Sequence, residues 1–183
     1  MAKSNRSGQA LVLNRQQVRD VWGELDYPHK LIAQLCYLSA SRVGEIIRLK
    51  AENIVANEIH IYQPKVSSPK RIRINADIKA ALEAAPLPSR GYLFPSRNKA
   101  GCLTARGYEK RLADAFSLLG IEGATTHSFR RSAATHLFTD GIDLHTIASL
   151  TGHQSLGSLS RYIEVGQDER DRKIADAMAG MVI

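Results

Sequence analysis

Residues 58–62, Glu58-Ile59-His60-Ile61-Tyr62, alternate polar and apolar side chains, and residues 71–74, Arg71-Ile72-Arg73-Ile74, do the same. A period of two is the mark of a strand with one buried face. The link from Gln63 to Lys70 holds Pro64, Ser67, Ser68 and Pro69, so the pair reads as an antiparallel hairpin with a long loop. On both sides of it the period is helical. Upstream, Asn14 is placed to cap a helix over 15–25, and Pro28 suits the first turn of another over 28–39, with Leu31, Ile32, Leu35 and Leu38 as its apolar stripe. A third helix is expected from Arg42 to Lys50. Downstream, helices are expected over 77–85, from Thr104 to Gly120, over 127–139 after a Thr125 or Thr126 cap, from Asp143 to Leu150, over 155–164 and over 168–178. Tyr92-Leu93-Phe94 is a candidate third strand. The fold class is therefore mainly α with a small antiparallel β-sheet, an α+β domain.

The chain of 183 residues is one domain's worth, and 44% hydrophobic against 23% charged residues leaves enough apolar surface for a core. Residues 1–13 read as a flexible basic arm, 14–165 as the domain and 166–183 as a C-terminal tail. No apolar run approaches the length of a membrane span, and Met1-Ala2-Lys3-Ser4-Asn5-Arg6 opens without the apolar stretch of an export signal. No membrane partner and a cytoplasmic location are expected. Cys36 and Cys102 are too few for a disulfide scaffold. The net charge of +7 is concentrated: Lys65, Lys70, Arg71 and Arg73 have no acid among them, and Arg90, Arg97, Lys99, Arg106, Lys110 and Arg111 face only Glu109. A polyanion partner fits that distribution; so does a merely soluble basic domain.

Four local patterns carry chemistry. His127 and Arg130 are three apart in the first turn of a helix, where backbone N–H groups already favour an anion; the same spacing also suits two solvated side chains. Arg42 and Glu45 are again three apart, which fits either a surface ion pair or a carboxylate aiming a phosphate-binding arginine. Lys65 lies at the hairpin mouth, as a solvated lysine or as one carried into a groove. Gly152-His153 is followed nine residues later by Arg161-Tyr162, where Tyr162 taken alone is a half-buried amphipathic side chain. No carboxylate cluster of metal-ligand type is apparent, and His127, His136, His145 and His153 are spaced wrongly for zinc on one helix, so no metal and no cofactor is expected.

Taken in order, Arg42, Glu45, Lys65, His127, Arg130, His153 and Tyr162 resemble the tyrosine recombinase (phage integrase) family. Thr126 to Val165, with Gly141-Ile142-Asp143 and Leu150-Thr151-Gly152-His153, is the densest part of the likeness, which spans residues 11–165. Two positions depart from the usual pattern: Ser41 precedes the first arginine where glycine is common, and Arg131 follows the second where histidine is common. The N-terminal clamp domain of most members has no counterpart, which implies either a naturally short member, like the fimbrial-switch invertases, or a domain cut from a longer protein.

The resemblance implies a catalytic domain over 14–165 that cleaves and rejoins DNA through a 3′-phosphotyrosyl link on Tyr162. It further implies Arg42 and Arg130 as charge stabilisers, Lys65 as general acid, His127 and His153 as proton-transfer and phosphate partners, and Glu45 as support for Arg42. Lys70, Arg71, Arg73, Arg97, Lys99, Arg106 and Arg131 are the expected DNA contacts. Self-association as a tetramer on two paired sites, with the tail passed between protomers, is a further implication. Two alternatives use the same residues: a type IB topoisomerase-like nicking-closing enzyme, and a DNA-binding regulator of the same fold without turnover.

Overall fold

The computed structural model describes residues 9–62, 69–97, 99–153 and 155–163, with 171, 174–176, 178 and 179 of the tail; the side chains of Arg161 and Tyr162 lie outside that description. Its elements run α1 (Arg15–Gly23), α2 (His29–Leu38), α3 (Val43–Ile46), β1 (Ile54–Val55), β2 (Glu58–Ile61), β3 (Lys70–Arg73), α4 (Ala76–Glu83), α5 (Ala105–Leu118), α6 (Ser128–Thr139), α7 (Leu144–Thr151) and α8 (Leu156–Tyr162). The domain is mainly helical with one small antiparallel sheet.

Side-chain caps start several of these helices, as their sequences ask. Asn14 accepts the Gln17 N–H while the Gln17 side chain returns to the Asn14 N–H, closing a capping box on α1. Thr104 caps α5, and Asp143 caps α7 through the Thr146 N–H at 2.9 Å. Gly152 ends α7 at φ 69°, a left-handed conformation that glycine adopts without a Cβ penalty. Helix α6 begins at Ser128, one residue later than expected; Thr125 instead accepts the His127 N–H at 3.2 Å in the preceding turn.

The strand order is β1-β2-β3, with Ile59 opposite Ile72 and Ile61 opposite Lys70. Residues 92–94 do not supply the third strand. Ala56, at φ 52°, turns Ile54–Val55 back onto Glu58–Ile59, and this short piece pairs as β1. Tyr92 makes only an isolated bridge to Lys50. The same contact shortens the helix expected over 42–50. Leu93 N–H donates to the Leu49 carbonyl and Ala51 N–H to the Gly91 carbonyl, both at 2.8 Å, so the backbone of 49–51 pairs across the chain and α3 stops at Ile46.

Helix α2 packs against α1, α3, α4, α5 and α6. The large core gathers Leu31, Ile32, Leu35, Ile46, Ile59, Ile61, Phe94, Leu112 and Phe129, among others. A separate small cluster joins Ala134 of α6, Ile147 of α7, Leu159 of α8 and Ile163. The expected arm is docked in its described part: Leu13 is fully buried with its N–H on Ser132 Oγ at 2.8 Å, and Leu11 N–H donates to Gly123 O at 3.0 Å. Apolar Leu11 and Leu13 find core to cover, which outweighs the arm's basic composition. In the tail, positions 171, 174–176, 178 and 179 are helical and exposed. No helix among the described residues is long and apolar enough to cross a membrane.

Candidate active site

Arg42 sits at the N-terminal edge of α3, where Glu45 grips it twice. Its backbone N–H donates to Glu45 Oε2 at 3.0 Å and its Nη1 to Oε1 at 2.9 Å. The Glu45 side chain is 5% exposed and that of Arg42 46%, so a buried carboxylate aims a guanidinium that keeps an open side. That is more than a solvated surface pair, because the carboxylate has given up its water to hold the arginine.

Arg130, on the first turn of α6, is 2% exposed. Its Nη1 donates to the Ala40 carbonyl at 2.9 Å and its Nη2 to the Thr151 carbonyl. One guanidinium therefore ties the turn between α2 and α3 to the end of α7, using the rigid fork that lysine lacks. Ala40 offers its carbonyl from a left-handed backbone, φ 47°, a conformation that costs a residue with a Cβ about 1–2 kcal/mol.

His153 follows the α7 stop. The Thr151 hydroxyl gives its proton to the Ile147 carbonyl at 2.7 Å, so it accepts from His153 Nδ1–H at 2.6 Å and fixes that tautomer. Burial, then the charges of Arg130 and Arg42, push the imidazole down to about 4. Both arginines thus reach the same ring. They also reach Lys70, whose ammonium is lowered to about 7, first by burial and then by Arg130 and Arg42 against the opposing pull of Glu45. Residues from α3, β3, α6 and the α7–α8 link so converge on one basic site.

His127 is exposed immediately before α6. Tyr162 is the last residue of α8, a helix held down by the fully buried Leu159 and by Ile163. Lys65 lies outside the described residues. Among the expected DNA contacts, Arg71, Arg73, Arg97, Lys99 and Arg106 are exposed. Two others turn inward. Arg131 is 6% exposed and donates to the Ala10 carbonyl, tying down the N-terminal segment. Lys70 donates to the Ser39 carbonyl and to Ser41 Oγ. Neither Ser39 nor Ala40 stands out in the sequence, and Thr151 does so only as part of Leu150-Thr151-Gly152-His153, because a backbone carbonyl leaves no residue-type signal. The inward Lys70 did leave one: it shares the parity of Ile72 and Ile74, the buried face of its strand.

Fold and site together define a mainly helical domain that sets two arginines, a histidine and a half-buried lysine around a place for an anion. The chain belongs to the phage integrase family, whose model matches residues 12–169. The integrase of Escherichia phage P2 is 30% identical over 141 residues, covering 77% of this chain and 39% of the phage protein. The chain thus spans about two fifths of that relative's length. Two solved structures share the fold. XerA recombinase matches with a TM-score of 0.76 at 17% identity, over 97% of this chain and 67% of that one. XerH site-specific recombinase, bound to a palindromic difH substrate in a post-cleavage complex, matches at 0.73 and 21% identity, over 93% and 54%.

Proposed function

We propose that this chain is the catalytic domain of a site-specific DNA recombinase, which cuts and rejoins strands through a covalent 3′-phosphotyrosyl intermediate on Tyr162. The observation that carries this reading is the way Arg130 ties the two parts of the site together: it bonds the Ala40 carbonyl, two residues before the Glu45-held Arg42, and the Thr151 carbonyl, two residues before His153. Two guanidinium charges held in one site suit the non-bridging oxygens of a phosphodiester, where charge gathers as a fifth oxygen approaches phosphorus.

In the reaction Tyr162 Oη attacks phosphorus and the bond to the 5′ oxygen breaks. The tyrosine proton passes to His127, and Lys65 supplies a proton to the departing 5′ oxygen. Tyrosine ordinarily titrates near ~10, so its activation depends on the phosphate being held and neutralised by the arginines. The phosphotyrosyl link conserves the energy of the broken bond, and the reverse attack by a 5′-hydroxyl reseals a strand without ATP. His153 enters the free site neutral, with its proton on Nδ1. A bound phosphate offsets the repulsion from Arg42 and Arg130, raises the ring's proton affinity and lets Nε2 donate to a phosphate oxygen. Exposed Arg71, Arg73, Arg97, Lys99 and Arg106 supply contacts to the DNA backbone.

Double-stranded DNA is the partner, and four protomers on two paired sites are the working assembly. The tail gives that assembly a means of contact: Ile174 and Met178 are 57% and 60% exposed, apolar side chains on a segment of mixed charge, with Asp168, Glu169, Asp171 and Asp176 against Arg170, Arg172 and Lys173. The test is incubation with nicked suicide duplexes drawn from the source replicon, followed by a denaturing gel. A shifted covalent band that Tyr162→Phe abolishes, with DNA binding retained, is expected. A band that survives Tyr162→Phe contradicts the assignment.

A further inference from the structure

Lys70 opens β3 opposite Ile61, and side chains paired directly across a hairpin share a face, so the register itself turns this lysine toward the core. Along the strand it takes the place in the alternation that Ile72 fills two residues later. A buried ammonium is costly unless hydrogen-bonded. Lys70 Nζ finds the Ser39 carbonyl and, at 2.9 Å, Ser41 Oγ. Both acceptors belong to the turn 39–41 between α2 and α3. Arg130 grips the same turn at the Ala40 carbonyl, and the residue that follows it is Arg42. The turn is therefore held by one cation from the sheet and one from α6.

We propose that Lys70 is a positioning residue of the strand-cleavage site: it locks strand β3 onto the 39–41 turn, and through that turn sets Arg42 against Arg130. This rests on the recombinase reading above. The charges that act on the ammonium are those of Arg130 from α6, Arg42 at the edge of α3, Glu45 from α3, and Cys36 from α2. With its proton held loosely, near about 7, Lys70 responds to what the arginines bind. A phosphodiester that neutralises them draws a proton back onto it, so DNA binding above neutral pH takes up protons.

The experiment compares wild type, Lys70→Met and Ser41→Ala. In the DNA-free protein, amide hydrogen exchange over 40–45 is expected to speed up about tenfold or more in Lys70→Met, with α5 unchanged. On saturating nicked duplex, formation of the covalent adduct is expected to slow about tenfold or more, while the half-saturating DNA concentration moves less than about threefold. Proton uptake on DNA binding, from calorimetry at about pH 7.5 in two buffers of different ionisation enthalpy, is expected to fall in Lys70→Met. His153 faces the same arginines in both proteins, so the difference between them reports Lys70. If Lys70→Met does not fold, Ser41→Ala, which removes one acceptor, is read for smaller changes in the same direction. Unchanged exchange over 40–45 with an adduct rate within about twofold overturns the proposal, as does equal proton uptake. A wild type that forms no adduct on any duplex defeats the recombinase reading instead, and hydrogen exchange then decides Lys70 alone.

Discussion

The two halves of the site rest on unequal foundations. Arg42, Glu45 and Lys70 are borne by α3 with its N-terminal edge and by β3, which belong to a core that runs from Leu13 to Phe129 across six helices and the sheet. His153 and Tyr162 are borne by α7 and α8, whose buried support among the described residues is Ala134, Ile147, Leu159 and Ile163. Helix α6 spans both, with Phe129 in the large core and Ala134 in the small one. Arg130, on that helix, bonds one carbonyl on each side. Local opening free energy follows the buried apolar contacts that an element holds. The half that carries the arginines is therefore the rigid one, and the half that carries His153 and Tyr162 is tied to it through a few side chains. A reaction that must hold a phosphate still while exchanging the strands joined to a tyrosine suits that division.

The largest effect that probes the division is a pair of cavities. Phe129→Ala is expected to cost about 3–5 kcal/mol and to lower the midpoint of the whole denaturant transition. Leu159→Ala, at about 2–3 kcal/mol, is expected to speed hydrogen exchange in α7 and α8 ahead of the rest. Equal exchange changes throughout the domain in both variants would dissolve the distinction. Next comes the bridge. Arg130→Lys keeps the charge but cannot span Ala40 and Thr151, so adduct formation is expected to fall about 10²–10³-fold, measured on the nicked duplex.

A third effect belongs to the rigid half alone. Burial, with the charges of Arg130 and Arg42, lowers the Lys70 ammonium from its ordinary 10.5 to about 7 in the folded protein. Between those values the unfolded chain holds more protons than the folded one, so stability rises with pH across that window. Below it, the cost of the buried charge is fully present. Denaturant unfolding at several pH values is expected to show this rise in wild type and a flatter line in Lys70→Met. The smallest effect is at the surface tie between the start of α1 and the end of α6. Arg15 and Asp140 are paired at 2.6 Å but each is about half exposed, so Arg15→Ala is expected to cost under ~1 kcal/mol by the same unfolding measurement.

What the sequence disclosed, and what it withheld, follows the range of the forces involved. The caps at Asn14, Thr104 and Asp143 and the stop at Gly152 are decided within four residues, and each was legible. The strands of the hairpin were legible from their period. The end of α3 at Ile46 was not, because it depends on residues 91–93 pairing with 49–51 across some forty positions of chain. Strand β1 escaped because two residues show no period, and its existence rests on the positive φ of Ala56. For the site, the order of Arg42, Glu45, His127, Arg130, His153 and Tyr162 identified the family before any geometry. The carbonyls of Ala40 and Thr151, which hold Arg130, carry no side-chain signature. Arg131 and Lys70 were read from charge as DNA contacts, and burial turned both inward, Arg131 to Ala10 and Lys70 to the 39–41 turn.

The most direct measurement is a protease digest of the covalent adduct formed on a nicked duplex, with mass spectrometry to locate the nucleotide. A nucleotide phosphate on the peptide that contains Tyr162, joined through its 3′ end, is the expected result. Attachment to any other residue, or through a 5′ phosphate, would contradict the assignment of Tyr162 as nucleophile.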